Sequence, residues 1–315
     1  MTASSTVPSS ARIYALVGLM ILLWSFNFVV TKSIAGHLPG LFLACFRTVI
    51  AGLCIVPVYL RGRQPVRGQR EWLALLGLGV AGIALNQILF VIGIVQTSVA
   101  HGAIVTALAP IQVLLIAVLV GQEHMNLRKA AGVALAFGGV AWLQLGKSSA
   151  GATFQGDFIM YLGTLFFALF SVFGKQYTKR LGSITVTGIG FMASAVAAAP
   201  VAWWTGRSVD FARVPPFVWL GILYMAVFSS VIGYLIFNYA LSHVPASRVA
   251  AFLYTQPIAA TLMGWLFLSE QLTVSLAVST ALVLAGLWVV ERGRCLSSLC
   301  SKRIAITATC GSHRW

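Results

Sequence analysis

The chain consists of long apolar blocks, each about as long as a helix must be to cross a bilayer, and that feature limits it to one broad class of fold. A helix of about 20 residues rises roughly 30 Å, the thickness of the hydrocarbon core. Ten such blocks fall at about 13–31, 40–60, 72–95, 98–119, 128–146, 156–176, 183–204, 216–240, 247–268 and 273–290, leaving tails at 1–12 and 291–315 and short connections. Hydrophobic residues make up 59% of the 315 and charged residues 9%, with a mean hydropathy of +0.92. An average soluble domain is about 45–50% apolar and about 25% charged. Twenty-one Lys and Arg with six Asp and Glu cannot clothe a water-soluble globule of this length. The expectation is an all-α integral membrane protein. Its first block is too long for a signal-peptide core of about 7–15 residues and is read as a retained anchor.

In a soluble chain the net charge of +15 would point to nucleic acid. Here it reports topology, because basic residues collect in cytoplasmic loops, and no nucleic-acid partner is expected. With the N-terminus inside, 16 basic residues fall on the inner side and 4 on the outer, while Arg47 stays within a span. Both termini are therefore expected in the cytoplasm. Cys45 and Cys54 lie in an apolar block and read as small hydrophobes. In the tail, Cys295-x4-Cys300 and Cys310-x2-His313 do not have the spacing of common zinc sites. No metal or cofactor is expected, and the tail reads as solvated and partly disordered.

The chain also repeats itself. A shift of 147 residues places Pro110 on Pro257, Glu123 on Glu270 and Gly139 on Gly286, with eleven identities in 57 ungapped positions. A shift of 143 places Lys32 on Lys175, each closing the first span of its half. The halves are then 13–146 and 156–290, with five spans each. An odd number of spans forces the second half to insert upside down, and inverted repeats of this kind mark secondary transporters with a midplane site between the halves.

The run Trp24-Ser25-Phe26-Asn27-Phe28-Val29-Val30-Thr31-Lys32 resembles the first-helix signature of the EamA domain in the drug/metabolite transporter superfamily. Phe46-Arg47-Thr48 is similar to that family's Arg-bearing second helix, and the doubled pattern Pro110…Glu123…Gly139 and Pro257…Glu270…Gly286 completes the likeness over about residues 13–290. The second half departs from it in having no Arg in the span at 183–204. The resemblance implies a ten-helix bacterial inner-membrane carrier, usually an exporter of amino acids or related metabolites. Multidrug efflux is the alternative, and an integral lipid-modifying enzyme stands well behind it, since the spans offer no deep carboxylate pair. A small-molecule substrate and the lipid bilayer are the expected partners, and a homodimer is compatible with the sequence.

Pro110 and Pro257 sit mid-span, where proline removes a helical hydrogen bond, freeing the carbonyls of Thr106 and Leu253. They read as hinges, against static packing kinks. Polar residues form stripes at helical spacing: Trp24 and Asn27; Asn86 and Gln87; His101 and Gln112; Asp157, Tyr161 and Lys175; Tyr234 and Asn238; Tyr254 and Gln256. Each stripe faces either a water-filled cavity or another helix. Arg47 is either a cation whose stem snorkels to the outer interface or an anchor for a substrate carboxylate. His101 is either a titrating group for proton coupling or an interfacial histidine satisfied by water. The six acids all fall at span ends or in loops, so no deep carboxylate relay is expected. Glu123 and Glu270 are expected to cap the helices that follow them. The run Gly77-Leu78-Gly79-Val80-Ala81-Gly82 fits G-x-G-x-x-G but lacks the strand a dinucleotide site needs.

Overall fold

A computed structural model describes residues 10–145, 152–243, 249 and 252–310, with the backbone alone at Ser10 and at 293–310. Lys147, Arg248, His313 and the start of the block at 247–268 lie outside the described residues, as do the side chains of Cys295, Cys300 and Cys310.

The helices are α1 (Ser10–Ile34), α2 (Gly40–Gly62), α3 (Gln69–Val95), α4 (Val99–Leu119) and α5 (Leu127–Leu145). A 53-residue helical stretch, Phe154–Gly206, breaks at Gly182 (φ 77°, ψ 165°), giving α6 at 154–181 and α7 at 183–206. This backbone conformation is open to glycine and strained for other residues. Then come α8 (Pro216–His243), α9 (Gln256–Leu268) and α10 (Val274–Cys310). Among the described residues there is no strand, and seven helical stretches are long and apolar enough to cross a membrane. The 53-residue stretch counts once among the seven, α5 carries Arg128 and Lys129 in its first turn, and α9 has 13 residues. The helix α10 continues through residues expected to form a disordered tail, which corrects that expectation up to Cys310.

Small residues set the closest helix pairs. On α5, a Cβ at Gly132 would lie 2.6 Å from the Gly286 carbonyl oxygen, and one at Gly286 would lie 2.5 Å from that of Gly132. No side chain fits there, so α5 and α10 meet backbone to backbone, as small residues allow in membranes. The glycines 79 and 82, rejected above as a nucleotide loop, serve the same purpose. A Cβ at Gly79 would strike Gly190 of α7, and one at Gly82 would strike Phe170 of α6.

Two irregularities recur at matching places. The helix α4 breaks at Ala107–Leu108, just before Pro110, and the chain turns at Tyr254–Thr255, just before Pro257. Proline at the second position of a helix has no N–H to leave unpaired, which is why both helices restart there. Within α3, Val80–Leu85 is a π-helix, and within α8 so is Met225–Ile232. A shift of 147 maps the first π segment into the second. The apolar pattern gives no hint of these wide turns, because a π turn changes hydrogen-bond register and not composition.

Candidate functional site

Both breaks and the flanks of both π segments open onto one cavity of about 760 Å³, its open mouth included. The first half supplies Trp24, Asn27 and Phe28 from α1, Arg47 from α2, Asn86, Gln87 and Phe90 from α3, and Thr106, Ala107, Ala109 and Pro110 around the break in α4. Across from these stand Thr164 and Phe167 of α6, Ser229, Ser230 and Tyr234 of α8, and Leu253 with Gln256 at the break before α9. The cavity thus draws on both halves of the chain.

Its polar wall centres on Gln87. The Gln87 Oε1 accepts from Arg47 Nε at 3.0 Å, Ser230 Oγ at 3.3 Å and Thr48 Oγ1 at 3.4 Å. Arg47 is 3% exposed, so its stem does not snorkel, which corrects that reading. It lies in the core, with its guanidinium 5.9 Å from the centroid of Phe90. Three buried atoms on this wall have no hydrogen-bond partner among the described residues: Arg47 Nη1, Gln87 Nε2 and Asn27 Oδ1. No carboxylate pairs with Arg47 among the described residues, and none lines the cavity.

The aromatic wall is fixed by the π turn in α8. Trp24 Nε1 donates to the Ser229 carbonyl at 2.9 Å, and a Cβ at Gly233 would lie 2.4 Å from that nitrogen. The indole therefore rests directly on glycine backbone. It meets Phe167 edge-on at 6.0 Å and Tyr234 at 5.8 Å. The Tyr234 hydroxyl donates to Asn86 Oδ1 at 3.1 Å, and Asn86 Nδ2 donates to the Gly163 carbonyl at 2.9 Å. One chain of bonds thus spans α8, α3 and α6.

Five expected site residues lie away from the cavity lining. Gln112 Nε2 donates to the Tyr161 carbonyl, and the Tyr161 ring packs edge-on with Phe137. Asn238 bonds Thr187 and Thr178, and the Tyr254 hydroxyl donates to Glu291. His101 is 4% exposed and pairs with Asp157 at 3.0 Å, so it is neither interfacial nor water-satisfied. Asp157, expected at a span end, is itself 3% exposed and also accepts from Thr97 and Gln144.

The structural candidates depart from expectation as well. Asn126 accepts from Lys129 N and Thr273 from Leu276 N, so these two residues, 147 apart, cap α5 and α10. Glu123 pairs with the Lys129 ammonium at 3.0 Å. Glu270 crosses to the other half and accepts from the Val99 and Ala100 amides at the start of α4, at 2.7 and 3.1 Å. Lys32 closes the same turn from the other side, donating to the carbonyls of Ile94, Val95 and Thr97. Lys175 carries interactions of its own.

Fold and cavity together define a multi-pass membrane protein with a cavity lined from both of its halves. The model of the EamA-like transporter family matches residues 11–145 and again 154–292. An uncharacterized transporter of Archaeoglobus fulgidus is 27% identical over 89% of this chain and 99% of its own length. The uncharacterized transporter YyaM of Bacillus subtilis is 25% identical over 76% of this chain and 80% of its own, and the WAT1-related chloroplastic protein At3g02690 of Arabidopsis thaliana is 23% identical over 85% and 66%. A solved crystal structure superposes with a TM-score of 0.64 at 18% identity, covering 94% of this chain and 99% of its own. The chain belongs to the EamA-like transporter family.

Proposed function

We propose that this membrane transporter is a secondary carrier working by alternating access, with ten spans arranged as two inverted five-helix repeats. In this reading both termini face the cytoplasm of a bacterial inner membrane, and the cargo is a small metabolite such as an amino acid or a related compound, moved outward. The observation that carries the reading is the pairing of helix breaks. The breaks before Pro110 and Pro257 stand 147 residues apart and border the same cavity, where two rocking halves need their hinges. The 16-to-4 distribution of basic residues supports the orientation. Efflux of lipophilic cations fits less well, because the described lining residues include Arg47 and no Asp or Glu.

The test uses single cysteines at Asn86, Tyr234 and Gln256 in a background without the five native cysteines. Each is labelled with a membrane-impermeant maleimide in right-side-out and in inverted vesicles. A carrier is labelled from both faces, with rates that move in opposite directions as one face is favoured. Labelling confined to one face at all three positions overturns the reading.

A further inference from the structure

We propose that the cavity takes an organic monoanion, a solute with one carboxylate and a planar apolar body, and excludes cations and zwitterions. This rests on the carrier reading of the same cavity and narrows its cargo from amino acids and related compounds to acids that carry no amine.

Arg47 is the only charged side chain among the described lining residues and is almost wholly buried. A guanidinium presents five donors in a planar fork and keeps its proton in proteins. Here Nε is spent on Gln87, while Nη1 has no partner. A buried charge held by one neutral acceptor is costly, and the cost is relieved by a counter-ion. None is supplied among the described residues, so the solute is the group positioned to supply it.

Gln87 is a positioning residue in this arrangement. Its carbonyl oxygen takes Arg47, Thr48 and Ser230, which turns the amide so that Nε2 remains an unpaired donor next to the guanidinium. The unpaired Nη1 and Nε2 belong to two lining residues joined by a hydrogen bond, and each N–H can serve one carboxylate oxygen. A protonated amine would meet no carboxylate among the described lining residues. Asn27 Oδ1, a buried acceptor with no partner among the described residues, is neutral and suits a hydroxyl or ring N–H. Trp24, Phe90, Phe167 and Tyr234 provide flat walls for the apolar body.

The experiment is calorimetric titration of the purified full chain in detergent. The probes are benzoate, 3-phenylpropanoate and 2-naphthylacetate, each beside its primary amide and the corresponding amine, with phenylalanine as the zwitterion. At least one acid is expected to bind roughly ten- to a hundredfold more tightly than its amide, as hydrogen bonds to a charged group allow. The amine and the zwitterion should bind no better than the amide. Arg47→Gln should bring the acid down to the affinity of the amide and leave the amide unchanged. Arg47→Lys keeps the charge without the fork and should retain a smaller acid preference, which covers the case where the glutamine variant does not fold. No acid preference in the panel, equal binding of the amine or zwitterion, or a preference that survives in Arg47→Gln overturns the proposal. Binding in detergent does not require two-sided access, so failure of the labelling test and failure of this one are separate results.

Discussion

The cavity wall and the turn between α3 and α4 are both buried and polar, but their hydrogen bonding is opposite. At the turn each polar group named here has a partner. Lys32 takes three carbonyls, Glu270 takes two amides, and Asp157 takes Thr97, His101 and Gln144. At the cavity wall Arg47, Gln87 and Asn27 each keep an atom unpaired. Groups from α1, α5, α6 and the end of α9 converge on the turn, which binds the two halves together at that end. A fully paired cluster stabilises what is already there, whereas an unpaired one stores binding capacity for a solute.

The sharpest way to break this comparison is Asp157→Ala. It orphans three donors at once, two of them on the buried Thr97 and His101, and removing one member of a buried pair costs about 3–5 kcal/mol. Single interhelical bonds in membranes average about 0.6 kcal/mol, so a loss near that figure would mean the cluster is no more than ordinary glue. Thermal melting of the detergent-solubilised variant decides between the two. Gly233→Ala comes next. Its Cβ would collide with the Trp24 ring, and overpacking of this kind costs about 1–3 kcal/mol. The same experiment should show altered Trp fluorescence, while a variant with normal melting and emission would mean the indole is not held against α8. Glu270→Gln is milder. The amide keeps one acceptor for the two α4 amides, sets an NH2 against the other, and loses its charge at the helix N-terminus, the charge alone being worth about 0.3–1 kcal/mol. Melting should fall slightly, and Glu270→Ala should fall further.

Much of this was legible in the sequence because lipid imposes one rule on every span. Apolar blocks of bilayer length located α1 to α8 to within about five residues, whereas the start of the block at 247–268 lies outside the described residues and α10 runs on to Cys310, and the repeat register anticipated the matched breaks before Pro110 and Pro257. Side-chain destinations were less legible. A stripe at i and i+4 shows that a face is polar, and a cavity and a neighbouring helix satisfy that equally well. Trp24, Asn27, Asn86, Gln87 and Tyr234 open onto the cavity, whereas Gln112 and Asn238, similar in the sequence, face a carbonyl and a threonine on adjacent helices. The His101–Asp157 pair spans 56 residues and depends on how α4 meets α6, information carried by no local pattern. The π segments leave no compositional trace, although Gly82 and Gly233, in or beside them, mark where another element approaches the backbone.

Arg47→Met should have the smallest effect on stability, and it is the most informative about the cavity. The substitution keeps an unbranched side chain of similar reach and removes a buried cation that no acid neutralises among the described residues. Replacing buried charge by well-packed apolar volume is often neutral or stabilising. It also removes the nearest donor to Gln87 Oε1, and the Thr48 and Ser230 hydroxyls can satisfy that atom only by turning from the Ala44 and Met225 carbonyls, to which they donate at 2.8 Å. Melting should therefore stay within about 1 kcal/mol of wild type or rise, while uptake of aryl carboxylates into proteoliposomes is lost. A large fall in melting would place Arg47 with Asp157, as a residue that holds the bundle together, and the contrast between the two regions would disappear. Unchanged stability with lost transport would leave the guanidinium one remaining role, as the positive half of an ion pair whose negative half is the solute.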